Sequence, residues 1–280
     1  MRFNLHTHTR FCDGSNDPES YIQKAVEEQL SILGFSSHAP VPFSNQFAIP
    51  SDAVLLEYCQ TIRILQEKYR GRLKILLGLE IDYIPGLTRP FDEFRKIAGL
   101  DYVIGSVHLV TNAEKKRLWF IDGSSRETYD RGLEDVFDGN IRKAVTAYYH
   151  QLNRMVAEEK PDIVGHMDKI KMHNQNRYFL ENDNWYRDLV MESLDVIAKN
   201  GSIVEVNTRG IYKKRCSSLY PDGWILDEIL NRQIPVTIST DAHKPGELTL
   251  LYDQTREQLL QRGFREVWII SENGPAPIAL

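Results

Sequence analysis

The chain has 280 residues, 42% hydrophobic and 26% charged, with a net charge of −5; this is enough for one large α/β domain, and the absence of a basic stripe argues against duplex nucleic acid as a partner. Three cysteines (Cys12, Cys59, Cys216) in no CxxC spacing make no disulfide framework and fit a reduced compartment. No stretch approaches the ~18 apolar residues of a membrane span, and His6, His8 and Arg10 interrupt any signal-peptide core, so a soluble cytoplasmic protein that does not engage membranes is expected, of open oligomeric state.

In chain order, the first strand-like run is 2–6 (RFNLH), followed by a helix opened by Asp17 with Pro18 in its first turn. A second run, 32–36, precedes a loop at 40–50 and a helix capped by Ser51 or Asp52 that runs to about Tyr69. Then come 73–79, a helix near 91–98, and 101–107. A polar stretch over 111–138 reads as a long functional loop. A helix over 139–159, the run 162–165, a helix over 184–199, the run 202–206 and a helical segment near 222–232 follow. The chain continues with 234–239, a helix over 247–261 and a last run, 266–270. Short runs rich in Ile, Val and Leu that alternate with helices predict a parallel sheet buried on both faces. Seven or eight such units predict a closed barrel in a single domain over 1–280. A doubly wound open sheet is the alternative, but no GxGxxG turn supports its dinucleotide-binding form.

The chemistry-bearing residues fall on this map in one place. His6 and His8 end the first run two residues apart, so they share a strand face. Asp13 follows in the next loop, His38 follows the second run, Glu80 the third, His108 the fourth and His166 the fifth; Asp241 and His243 follow the seventh. Six of the eight histidines therefore lie at carboxyl ends of predicted strands, which in a barrel converge on one rim. Imidazole with carboxylate suits zinc, iron or manganese. Nine donors exceed the four that one tetrahedral ion takes, so two or three divalent ions are expected. A carboxylate such as Glu80 is able to bridge two of them. Clustered ions of this kind serve phosphatases and nucleases.

HTHTRFCDGS, GFSSHAP, GLEID, GSVH, VGHMD and STDAH, in this order from His6 to His243, resemble the successive motifs of the PHP (polymerase and histidinol phosphatase) superfamily. The LEIDYIPG segment, the polar insertion after His108 and EVNTRGIYKK look most like its stand-alone histidinol-phosphate phosphatase branch. The resemblance implies a distorted (β/α)7 TIM-like barrel and a trinuclear metal centre. It implies hydrolysis of L-histidinol phosphate to L-histidinol and phosphate in histidine biosynthesis. By motif, His6, His8, Glu80 and Asp241 would hold one ion, Glu80, His108 and His166 a second, and Asp13, His38 and His243 a third. Glu80, Asp241 and His243 are the candidate catalytic residues, and a histidine, an aspartate or a water of the cluster would protonate the leaving group.

Arginine suits phosphate because its planar fork donates two parallel hydrogen bonds. Arg177 and Arg209, with Lys213 as a third choice, are the candidate substrate-binding residues. Glu205 and Asn207 share a strand face and are candidates to face the site. His150 is read as a helix-surface or packing residue, His173 as a loop residue near Arg177, and Cys12 as a packing residue. Trp119, Phe120 and the tyrosines of the insertion either cover the substrate's imidazole end or pack the loop. Two competing readings are a phosphoesterase of another small phosphate ester or nucleotide, and a non-catalytic metal-stabilised module. The complete ligand set argues against the second.

Overall fold

The computed structural model describes residues 1–123 and 125–280. Its elements are β1 (Phe3–Asn4), α1 (Pro18–Glu27), β2 (Ile32–Phe35), α2 (Asp52–Lys68), β3 (Lys74–Asp82), α3 (Phe91–Ala98), β4 (Tyr102–Ser106), β5 (Leu109–Asn112), β6 (Arg117–Phe120), α4 (Arg126–Phe137), α5 (Ile141–Glu159), β7 (Ile163–Val164), α6 (Asn184–Asn200), β8 (Ile203–Asn207), α7 (Arg209–Tyr212), α8 (Gly223–Asn231), β9 (Val236–Ser239), α9 (Tyr252–Arg262), β10 (Glu266–Ser271) and β11 (Gly274–Ala279). Helix starts follow local chemistry. Pro18 opens α1 after Asp17, while Ser51 and Asn140 accept backbone N–H bonds from Val54 and Lys143 at the starts of α2 and α5.

Seven strands pair in parallel in the order β1-β2-β3-β4-β7-β8-β9. The two ends of the sheet meet through a parallel bridge between Thr7 and Ala242, with His8 N–H donating to the Ala242 carbonyl at 2.8 Å and Ala242 N–H to the His6 carbonyl at 3.0 Å. The result is a nearly closed, distorted (β/α)7 barrel, as expected. Tyr102 is fully buried and its hydroxyl donates to the Leu5 carbonyl at 2.5 Å. A side chain at Gly78 would collide with the Tyr102 ring, so a glycine is needed where that ring crosses β3.

Three expectations change. The stretch 111–138 is not one loop: it holds most of the antiparallel β5–β6 hairpin and helix α4. Its polarity belongs to exposed faces, while Trp119, Tyr129, Leu133 and Phe137 are buried. The last run, 266–270, is no barrel strand; it pairs antiparallel with β11 as a separate hairpin beside β9. Pro275 and Pro277 on β11 lack the N–H that further pairing needs. The first strand is two residues long because beyond Asn4 the backbone is joined only at isolated points, by Ser36 N–H to the Thr7 carbonyl at 2.9 Å and by the closing bridge.

Candidate metal centre

The barrel's closure builds the site. The bridge at Thr7 and Ala242 sets His6 and His8 on one side of the seam and Asp241 and His243 on the other. A second bridge joins His38 to Glu80. Glu80 is the hub. Its Oε2 lies 3.1 Å from His6 Nε2, 3.3 Å from His8 Nε2 and 3.3 Å from His38 Nδ1. Its Oε1 lies 3.0 Å from His166 Nε2 and 3.7 Å from His108 Nε2. One carboxylate thus serves two groups of donors, one oxygen toward each. Asp241 Oδ1 is 3.4 Å from His8 Nε2, and Asp13 Oδ2 is 3.2 Å from His243 Nε2. All nine residues singled out from the sequence come together at the rim.

The donor set fits metal ions. Four trios have donor atoms mutually within 4.8 Å: His6, His8 and Asp241; Glu80, His108 and His166; His8, Asp13 and His38; His38, Asp82 and His108. The Nε2 atoms of His6 and His8 face each other at 3.1 Å, and those of His108 and His166 at 3.2 Å. Two imidazole lone pairs at that distance repel unless a proton or a cation lies between them. His38 Nδ1 and Asp82 Oδ2, both turned towards the cluster, are buried without a hydrogen-bond partner, as buried polar groups that a ligand would satisfy are. Asp241 and His166 carry left-handed backbone, φ 50° and 22°, a strained state that concentrates at functional sites. A Cβ at Gly14 would strike the His8 backbone at 2.4 Å, so the DGS turn brings Asp13 to the cluster only with glycine there.

Two carboxylates orient the rings from behind. Glu205 lies 2.5 Å from His6 Nδ1 and accepts from His166 N–H at 2.8 Å and from the Ser239 hydroxyl. Asp82 Oδ1 lies 2.9 Å from His108 Nδ1 and accepts from the His108 N–H at 2.9 Å. Each leaves Nε2 facing inward, the arrangement that sets tautomer and orientation in metal sites. Asp82 was missed in the sequence reading; its signal is the LEID spacing, which puts Glu80 and Asp82 on one strand face. Electrostatics follows the crowding. Burial opposes a charge on His6, but Glu205, Glu80 and Asp241 outweigh it and push its imidazolium up to about 10. Burial likewise opposes charge on Glu80, yet His6, His38 and His108 hold it well below the usual carboxylate range. At His38 burial wins over Glu80 and lowers its pKa to about 4.

A cavity of about 150 Å³ opens beside the cluster, walled by Phe47, Phe120, Asp122, Lys169, Arg209 and Arg215. Phe47 and Phe120 stack with centroids 5.9 Å apart and rings 14° from parallel. Arg209 donates to the Asp241 carbonyl at 2.6 Å. Buried Lys169 reaches Asp122 at 2.8 Å and approaches His108 Nε2 at 3.4 Å. Of the substrate candidates only Arg209 borders this space. Arg177 instead forms a two-armed pair with Asp130 at 2.8 Å, and Lys213 pairs with Glu247 at 2.5 Å. Lys169 and Arg215 border it as well. The sequence signal for Lys169 was its position three residues after His166, in the short 3-10 turn Lys169–Lys171. Asn207 donates to Glu205 at 3.1 Å, behind the cluster. Phe120 faces the cavity, whereas Trp119 is core, its indole donating to the Tyr129 carbonyl. His150 is exposed on α5, and His173 is buried with Nε2 2.8 Å from the Gly123 carbonyl. A larger, open groove of about 840 Å³ lies at the strands' amino ends, around Ser31, Lys74 and Asp101. Among the described residues no ligand trio borders it.

Residues 4–209 match the PHP domain family. The chain is 29% identical over 266 residues to the histidinol-phosphatase of Bacillus subtilis (strain 168), covering 90% of this chain and 97% of that one. Its fold is similar to the HisK crystal structure from Listeria monocytogenes, with a TM-score of 0.77 at 22% identity, covering 90% of this chain and 99% of that one. It is also similar to histidinol phosphate phosphatase from Lactococcus lactis, crystallised with zinc, L-histidinol and phosphate, with a TM-score of 0.70 at 22% identity and 98% coverage of both chains. With its motifs gathered on one barrel rim and the family match spanning most of its length, the chain belongs to the PHP domain family.

Proposed function

We propose that this protein is a metal-dependent phosphomonoesterase that hydrolyses L-histidinol phosphate to L-histidinol and phosphate, with residues 1–280 acting as one PHP-type unit. The observation that carries the reaction class is the convergence of three expected ligand sets on Glu80, next to three cationic side chains in a cavity sized for a small molecule. Support for the substrate comes from the Bacillus subtilis relative, named a histidinol-phosphatase, and from the Lactococcus lactis structure with L-histidinol and phosphate.

His6, His8, Glu80 and Asp241 would hold one divalent ion, Glu80, His108 and His166 a second, and Asp13, His38 and His243 a third; zinc, iron and manganese suit these donors. Such ions, when bound, withdraw charge from phosphoryl oxygens and lower the pKa of water towards 7. The chain's own groups do the rest. Lys169, Arg209 and Arg215 draw in and orient the phosphate dianion. Glu80 and Asp241 keep their negative charge at neutral pH because the surrounding imidazoles and Arg209 favour it. His243, with Nδ1 3.0 Å from the Asp241 carbonyl, keeps Nε2 turned towards Asp13, where it would hold the third ion. Phe47 and Phe120 narrow the mouth and exclude water.

The test is phosphate release from L-histidinol phosphate by metal-analysed protein, beside nucleotide and sugar phosphates. A preference for histidinol phosphate that is lost in His8→Ala is expected. Greater activity on another ester overturns the substrate, and no turnover by fully metallated protein overturns the enzyme.

A further inference from the structure

Asp122 is the one carboxylate walling the cavity, among the described residues, that belongs to none of the three expected ligand sets. Its Oδ2 is 2.8 Å from Lys169 Nζ and 3.9 Å from His108 Nε2. Its Oδ1 is buried without a hydrogen-bond partner, and Arg215 Nη1, at 3.6 Å, is too far to supply one. A buried carboxylate oxygen left unpaired costs free energy that an incoming N–H donor recovers. A wall meant only to hold a phosphate dianion gains nothing from a negative charge this close, because like charges repel. The arrangement suits a ligand with charge of both signs, an anionic phosphoryl group at the cluster and a cation a short distance behind it.

We infer that Asp122 receives the primary ammonium of an amino-alcohol phosphate whose phosphoryl group lies at the ligand cluster, and so sets specificity for substrates that carry that amine. This rests on the phosphomonoesterase reading above. In L-histidinol phosphate two carbons separate the amine from the ester oxygen, a spacing that places the ammonium beside the phosphoryl group, where Asp122 Oδ1 lies. Phe47 and Phe120 are left to contact the imidazole ring at the mouth.

The experiment compares kcat/KM for L-histidinol phosphate and for its des-amino counterpart, 3-(imidazol-4-yl)propyl phosphate, in the wild type and in Asp122→Asn. Loss of one hydrogen bond to a charged group predicts a wild-type preference for the aminated ester of at least about tenfold. In Asp122→Asn that ratio is expected to fall towards one, whatever the absolute rates. A merely structural role, or one confined to bracing Lys169, lowers both rates together and leaves the ratio unchanged; that result overturns the inference while the phosphatase reading stands. Equal turnover of the two esters by the wild type overturns it as well. If the wild type hydrolyses other phosphomonoesters but neither of these, the substrate reading falls and this inference with it. Asp122→Ser, read in the same way, covers a failure of the asparagine variant to fold.

Discussion

At the scale of single residues, the site is a balance between burial and charge. Glu205 carries no expected bond to an ion, yet it fixes His6 through Nδ1 and the His166 backbone through its N–H. Replacing a carboxylate that orients a ligand ring typically costs 10–100-fold in metal affinity or activity. Glu205→Gln should therefore weaken zinc binding by about 10–100-fold, measured by competition against a chromogenic chelator; an unchanged affinity would remove its orienting role. The proton on His6 predicts a pH effect of definite sign. Its pKa, about 10 in the metal-free fold against 6.5 for a free imidazole, means that protonation stabilises the metal-free fold fully below 6.5 and ever less as pH rises through 10. A bound ion must expel that proton. Apparent zinc affinity should then rise about tenfold per pH unit between about pH 6 and 8 for each proton released, and a flat profile would contradict a protonated cage.

At the scale of elements, the rim loops are tied together by a buried ion-pair network behind the cavity. Lys171, in the turn after β7, has a side chain 1% exposed; it lies 2.7 Å from Asp168 and donates to the Ser218 hydroxyl at 2.9 Å. Asp168 in turn accepts the Asp222 N–H at 2.9 Å. The network joins the segment carrying Lys169 to the segment carrying Arg215. Removing one partner of a buried pair strands the other charge and costs about 3–5 kcal/mol. Lys171→Met should lose that much in urea unfolding, and the double variant Lys171→Met, Asp168→Leu should recover part of it. Equal losses in both would show the pair to be uncoupled. Most of this was not readable from KIKMHNQNR: Asp168 is a near neighbour, but Ser218 and Asp222 lie on a distant segment. The insertion misread as a loop fails for a similar reason. Its buried Trp119 and Tyr129 pack across a hairpin and a helix, while their neighbours are polar and hide the period.

At the scale of the whole molecule, the first and last barrel strands meet through short pairings at Thr7 and Ala242, flanked on each side by expected ligands. Ions held by His6, His8 and Asp241 would cross-link the two ends of the sheet. A ligand present at 100-fold its Kd stabilises by about 2.7 kcal/mol, and each kcal/mol moves Tm by about 2–4 °C in domains of 150–250 residues. Chelation should thus lower Tm by roughly 5–10 °C and raise amide exchange first at β1 and β9. Loss of Tm with exchange changes confined to β3 and β4 would contradict closure by the ions. Among the described residues no helix is long and apolar enough to cross a membrane.

The sequence by itself determined which residues meet. Donors at the carboxyl ends of successive parallel strands have no choice but one rim, so His6, His8, Asp13, His38, Glu80, His108, His166, Asp241 and His243 were legible from strand period and order alone. It also narrowed the fold to a closed barrel or a doubly wound open sheet, because βα alternation with strands apolar on both faces admits few architectures, and the seam at Thr7 and Ala242 decided for the barrel. Only the tertiary structure decided which cations face the cavity. Arg177, Arg209, Lys213, Lys169 and Arg215 are all basic side chains, and what separates them is which border the cavity: Arg177 is turned to Asp130 and Lys213 to Glu247, whereas Lys169, Arg209 and Arg215 line it. It alone decided the supporting shell of Asp82 and Glu205, and the unpaired oxygen of Asp122, for the same reason: a hydrogen bond depends on ångström-scale placement, which strand order bounds but does not set.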